Sequence, residues 1–257
     1  MPERNIRIVV AYEGTAYAGW QSQPQERTIQ GEITAAIFKV TGRKVNLIGA
    51  GRTDAGVHAL GQVANFRIDH HLEPARYREA LNHFLDDDIR VKDSQGADHA
   101  FHSRYGALSR RYRYLIGRER SAVYRNLRWE YDREVNMLEL REAASMIKGE
   151  HDFGPFCVMA SRRDDSVCRV DHARWRRVGP LLVFEITGNR FLHGMVRSLV
   201  GAMVNLATLE PDQNKLNLTL ETLRDIITSR TKERVVFTAP ARGLYLVSVA
   251  YNEGIPE

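Results

Sequence analysis

The chain has 257 residues, which allows one large or two ordinary domains, and its 43% hydrophobic and 27% charged residues are globular proportions that exclude a disordered or fibrous chain. No apolar run approaches the roughly 18 residues of a membrane span, the charged N-terminal MPERNIRIVV is unlike a secretory leader, and two cysteines, Cys157 and Cys168, argue against a disulfide framework and fit a reducing cytoplasm. The net charge of +5 is modest, but residues 104–128 hold eight arginines against the single acid Glu119, and Arg162, Arg163, Arg169, Arg174, Arg176 and Arg177 form a second cluster diluted by Asp164, Asp165 and Asp171; arginine's planar fork suits phosphates and bases and points to a nucleic-acid partner.

Residues 5–12 alternate with period two, placing Ile6, Ile8 and Val10 on one face of a strand. After a turn-like stretch with Gly14, Gly19 and Pro24, apolar residues recur at helical spacing through Ile29, Ile33, Ala36, Ile37 and Val40, with Thr28 as the N-cap. Strands are expected at Val45–Ile48 and Val63–Ile68, flanking a glycine-rich segment, 49–61. Pro74 suits the first position of a helix carrying Tyr77, Leu81 and Phe84. A short strand follows at Ile89–Val91, and another presents Tyr112, Tyr114 and Ile116 on one face. In the second half a helix is expected over 137–148 with Gly149 as its stop. Strands are expected at 167–178 and 181–187, helices at about 191–208 and 220–229, and a last strand at Leu244–Tyr251. The order gives an α+β fold in two domains of related build, 1–106 and 107–257, with 117–136 as the most linker-like stretch.

The segment Gly49-Ala50-Gly51-Arg52-Thr53-Asp54-Ala55-Gly56-Val57-His58-Ala59-Leu60-Gly61-Gln62-Val63 carries the chemistry. Its glycines imply positive φ angles or a close approach to other atoms. A dinucleotide fingerprint fails because Asp54 stands where a third glycine is needed, and its carboxylate would repel a pyrophosphate. A Walker loop fails because Val57 and His58 occupy the places of the Lys and Ser/Thr. What is left is an aspartate in a tight loop, two residues after an arginine. In extended chain those two side chains face the same way. Arg52 can then hold Asp54 ionised or steer a phosphate beside it. Asp54 would serve as a nucleophile or base, or it would merely cap backbone amides in an Asx-turn.

The same segment, with Tyr17-Ala18-Gly19-Trp20-Gln21, Phe101-His102-Ser103-Arg104, Arg111-Tyr112-Arg113-Tyr114, Gly149-Glu150-His151-Asp152-Phe153, Phe191-Leu192-His193-Gly194-Met195-Val196-Arg197 and Ala239-Pro240-Ala241-Arg242-Gly243-Leu244-Tyr245-Leu246, resembles the tRNA pseudouridine synthase A (TruA) family over nearly the whole chain. Two local departures, Gly154-Pro155-Phe156 and Val235-Val236-Phe237, touch loop shape and not the chemistry. The resemblance implies that Asp54 is the catalytic aspartate, that Arg52 helps open or hold the tRNA site, and that Tyr112 stacks on the extruded uracil. It also implies that Arg197 pairs with Asp54 and that Leu244 or Leu246 lines the pocket floor. Its fold would be two RRM-like α/β-sandwich domains with mixed or antiparallel sheets and a catalytic cleft between them, assembled as a homodimer in the cytoplasm. Its substrate would be uridine at positions 38, 39 and 40 of the tRNA anticodon arm. The base leaves C1′ through N1 and returns through C5, with no redox change and no atom gained, so no cofactor and no metal are called for. Asp54 would attack C1′ or take a proton from C2′.

Competing readings are weaker on the residues themselves. A non-catalytic RNA-binding protein explains the basic, aromatic stretches but not an acid presented by a glycine-rich loop. A glycosidase or phosphotransferase lacks the paired acid or the Walker lysine. Arg197 on an apolar helix can simply snorkel, and Tyr112 can be sheet packing beside Tyr114. Asp86-Asp87-Asp88 reads as a solvated run rather than a metal site, and nine histidines show no zinc spacing. Asn217-Leu218-Thr219 matches a glycosylation sequon that a cytoplasmic protein would not use.

Overall fold

The computed structural model describes residues 2–158, 166–209, 218–228 and 237–252; Arg162, Arg163, Asp164, Asp165, Asn217, Val235 and Val236 lie outside them. The chain forms two compact units, one made of Met1–Arg110 with the chain from Tyr245 on, the other of Arg111–Leu244. The expected division at 106/107 falls close to the first boundary, but the last strand joins the first unit because it pairs there in parallel.

In the first unit, β1 (Arg4–Tyr12) pairs antiparallel with β3 (His58–Ile68) and with β4 (Ile89–Ala97), and β10 (Leu244–Tyr251) pairs parallel with β3. Ile6, Ile8, Val10 and Tyr12 form the buried face of β1 that the alternation predicts. Helix α1 (Ile29–Thr41) buries Ile29, Ile33, Ala36 and Ile37, and Thr28 caps it by accepting a hydrogen bond from Gly31 N. The expected strand at Val45–Ile48 shrinks to β2, Ile48–Gly49. Pro74 opens a single 3-10 turn, Pro74–Arg76, and α2 runs only over Tyr77–Asn82. Phe84 therefore lies beyond the helix and is exposed, while Tyr77 meets Phe66 of β3 edge-on at 5.5 Å. β4 extends well past the expected Ile89–Val91, since β1 offers it a full-length partner.

In the second unit, β5 (Ala107–Gly117) neighbours β9 (Leu181–Gly188), which pairs antiparallel with β8 (Val167–Val178), which pairs antiparallel with β7 (Gly149–Asp152); β6 (Trp129–Glu130) adds a short parallel pair to β5. The expected linker stretch thus contributes a strand. Helices α3 (Met137–Met146), α4 (Met195–Ala207) and α5 (Leu220–Thr228) complete the unit. α3 starts at the cap of Asn136, whose Oδ1 accepts from Leu138 N. Trp175 on β8 donates to Met203 Sδ on α4 at 3.4 Å, which places α4 over the face carrying Trp175. α4 begins at Met195 rather than 191 because Gly194 takes a positive φ of 73° that no helix interior tolerates. Each unit therefore mixes strands and helices, and the α+β class holds.

Candidate active site

The loop carrying Asp54 is pinned by main-chain bonds on both sides. Ala50 N donates to Val63 O at 2.8 Å, and the buried Gln62 donates through Nε2 to Gly51 O at 2.8 Å. Arg110 Nη2 reaches Ala50 O at 3.0 Å. Trp20 N donates to Thr53 O at 3.0 Å, and Tyr12 and Thr53 share a buried hydroxyl pair at 2.9 Å. A turn then closes with Val57 N donating to the main-chain oxygen of Asp54 at 3.1 Å, over Gly56 at φ 76°. Thr53 is buried, Arg52 is exposed and Asp54 is half-buried, a burial pattern consistent with the expected alternation.

The segment before α1 presses against this loop at two glycines. A Cβ on Gly14 would stand 2.0 Å from Val57 O, and one on Gly19, itself at φ 101°, would stand 2.7 Å from Thr53 O. His58, 1% exposed, accepts from Gly14 N through Nδ1 at 3.0 Å, which leaves its ring proton on Nε2. Its ring stacks on Tyr245 of β10 at 4.7 Å. Burial, reinforced by the nearby Glu13 charge, pushes the Tyr245 phenol up to about 12, so it stays protonated. The sequence motif names Asp54; it does not reveal that His58, Gln62, Gly14 and Tyr245 hold the loop.

The remaining predicted residues lie in the second unit. Tyr112 on β5 is buried and meets Phe191 edge-on at 5.2 Å. Arg197, in the first turn of α4, is half-buried; its Nε donates to Ala239 O at 2.8 Å and its own carbonyl accepts from Ala239 N at 3.1 Å. Pro240 O, next along, accepts from Tyr114 at 2.6 Å. Leu244 opens β10 and is buried, as is Leu246, which belongs to the first unit. Arg52 and Asp54 thus belong to the first unit, and Tyr112, Arg197 and Leu244 to the second.

Several charged groups behave differently from the sequence reading. Asp86 and Asp88 are not merely solvated: Arg27 pairs with both, at 2.6 and 3.7 Å, and Tyr17 donates to Asp88 at 2.6 Å. Among the described residues no group of three His, Cys, Asp or Glu side chains could hold a metal. Part of the arginine run is engaged within the protein. Arg111 and Arg113, with Arg174, donate to the carboxylate of Glu185 at 2.7–3.2 Å, and Arg176 pairs with it at 3.5 Å. Glu185 is 1% exposed. Burial pushes its carboxyl upward, but the hydrogen bonds from Arg174, Arg113 and Arg111 outweigh that and bring it down to about 2. An isolated Glu inside an apolar strand gives no sign of such a cluster.

Comparison with known proteins follows the same residues. The sequence profile of the tRNA pseudouridine synthase family matches 8–106 and 143–252, spans that contain Asp54 and Arg197. A tRNA pseudouridine synthase A from Acetivibrio thermocellus is 41% identical over 252 residues, covering 96% of this chain and 100% of the relative. Its namesake from Chlorobium luteolum is 42% identical over 253 residues, covering 97% and 96%. One from a Geobacillus strain is 37% identical over 252 residues, covering 97% and 99%.

Two substitutions probe this architecture. Gly14→Ala forces main chain against main chain, so it should destabilise the protein by about 1–3 kcal/mol, whereas Gly96→Ala, whose new carbon would sit 3.6 Å from the Pro74 ring in ordinary contact, should be near neutral; urea denaturation of both distinguishes local crowding from a general cost of losing glycine. Glu185→Gln should cost about 2 kcal/mol at neutral pH, less than for a fully buried pair because the guanidiniums are half in water. Because the folded carboxyl is depressed to about 2 from an ordinary 4.5, its contribution is complete above about 4.5 and fades as pH falls toward 2. The stability gap between wild type and variant should therefore be constant above pH 5 and close below it, and a gap independent of pH would contradict the ionised cluster.

Proposed function

Because the chain belongs to the tRNA pseudouridine synthase family, we propose that Asp54 is the group with which it isomerises uridine to pseudouridine in tRNA. The observation that carries this assignment is the loop itself: Thr53 is anchored from two sides, the turn after Asp54 is closed on main-chain atoms, and the carboxylate between them is half-buried beside an exposed arginine. A side chain fixed in this way needs little reorganisation to meet a reacting atom.

In the reaction the C1′–N1 bond breaks and a C1′–C5 bond forms; N1 gains a proton and C5 loses one, so atoms and charge balance without an oxidant. Asp54 acts on C1′ as a nucleophile or on the C2′ hydrogen as a base, and both routes need the ionised carboxylate. Either requires the nucleotide out of its stack, which costs a few kcal/mol. Stacking against Tyr112 returns about 1–3 kcal/mol, and phosphate contacts return more. In this reading each unit is RRM-like, Tyr112, Arg197 and Leu244 are brought to Asp54 in a cleft, with Arg197 as its ionic partner, and Arg52 meets the tRNA. The uridines are those at positions 38, 39 and 40 of the anticodon arm, and the enzyme works as a cytoplasmic homodimer.

The test is release of tritium from tRNA carrying the label at uracil C5. Wild-type protein should turn over without added nucleotide or metal. Asp54→Asn, which keeps the shape and removes the charge, should lose roughly a thousandfold or more of the rate while still binding tRNA. Retention of the rate by that variant would overturn the assignment of Asp54.

A further inference from the structure

Glu185 organises a cationic plate. Successive side chains on a strand point to opposite faces. On β8, Trp175 and Ala173 are buried, while Arg174 and Arg176 stand on the other face; on β5, Arg111 and Arg113 alternate with the buried Tyr112 and Tyr114. The four guanidiniums converge on Glu185 of β9 from the two strands that flank it, β5 and β8, yet remain 31–51% exposed, while the carboxylate beneath them is 1% exposed. One negative charge cannot balance four positive ones, so the plate carries an excess of about three. Among the described residues no second carboxylate pairs with these arginines. Asp171, farther along β8, is paired with Arg169. His172, two residues from Arg174, is biased to its neutral form by burial and by the neighbouring Arg174 and Lys148 charges.

The donors are equally in excess. Four guanidiniums carry about twenty N–H groups, of which Glu185 accepts hydrogen bonds from five. The carboxylate thereby fixes the orientation of long side chains that would otherwise lose rotamer freedom on binding. Arginines two apart on a strand are separated by about 6–7 Å, of the order of the distance between adjacent phosphates in a nucleic-acid strand. We infer that the sheet face formed by Arg111, Arg113, Arg174 and Arg176 around Glu185 is a docking surface for the sugar-phosphate backbone of the tRNA substrate. The inference rests on the tRNA reading above and adds to it a place of contact separate from Asp54. Glu185 is a positioning residue there: it touches guanidiniums, not RNA.

Two measurements test it. First, wild-type protein is modified with phenylglyoxal, and adducts at the four arginines are counted by mass spectrometry with and without tRNA. At low salt, tRNA should protect Arg174 and Arg176 at least fivefold, and about 0.5 M salt should abolish the protection. Second, the pair Arg174→Gln and Arg176→Gln should raise KM and leave kcat at saturating tRNA within twofold. It should also make the dependence of log KM on log salt shallower by about 1.4–1.8, the release expected for two lost phosphate contacts. If the double variant fails to fold, the wild-type footprint decides. Unprotected arginines would overturn the proposal, as would protection that needs no tRNA and grows with protein concentration, which would assign this face to a second copy of the chain. Tritium release measured on the same preparation separates the two failures: active enzyme without protection removes this surface and leaves the proposed reaction standing.

Discussion

The close approach of two stretches of backbone, 14–20 against 49–58, is the constraint on which the candidate site rests. At Gly14 and Gly19 there is no room for a side chain, because the facing atoms are carbonyl groups of Val57 and Thr53 rather than movable side chains. Main-chain contact of this kind is stiff: neither partner can relax by changing a rotamer. It converts a glycine-rich loop, which would by itself be the most entropic part of the chain, into a fixed platform. The glycines thus permit a contact that removes their freedom, and Asp54 inherits the resulting precision.

That platform is not a local structure. His58 receives the Gly14 amide on one side and packs its ring on Tyr245 on the other. Tyr245 lies on a strand that reaches its parallel partner only after the entire second unit has been threaded. The same strand is tied again where Tyr251 donates to Ser103 O at 2.6 Å. Completing the loop's support therefore waits for the end of the chain, and the loop-closure entropy must be met before the contacts return it. The arrangement couples the rigidity of the Asp54 loop to the integrity of the whole first unit.

The pattern of what was legible in the sequence follows from how local each determinant is. β1 and α1 were readable because periodicity and the Thr28 cap are confined to neighbouring residues. The start of β3 at His58 was not, because Gly, Ala and His are poor strand formers and the strand is imposed by β1 and β10 on either side. Phe84 looked like a continuation of α2 by spacing, yet the helix ends at Asn82 and the ring is exposed. Asp54 and Arg52 were legible through a long continuous motif. Glu185 was not, since two of its arginines are 72 and 74 residues away and the acid sits in an otherwise apolar strand. Gln62 and His58 lay inside the motif, but their supporting role appears only when strand pairing brings them against Gly51 and Gly14.

The two acids also explain how a basic protein can keep a carboxylate next to RNA at tolerable cost. A negative charge near a phosphate opposes binding in proportion to its exposure. Glu185 avoids the penalty by being covered: its charge is consumed by guanidiniums that themselves face outward, so phosphates would meet only positive charge. Asp54 is half-buried rather than covered, as suits a carboxylate proposed to act on a sugar carbon or its hydrogen. On the proposed function its repulsion would instead be offset by the exposed Arg52 two residues away. Buried acid and presented acid are thus distinct solutions to one electrostatic problem. The first orders arginines that, as proposed, would meet phosphates, whereas the second is the group proposed for the chemistry.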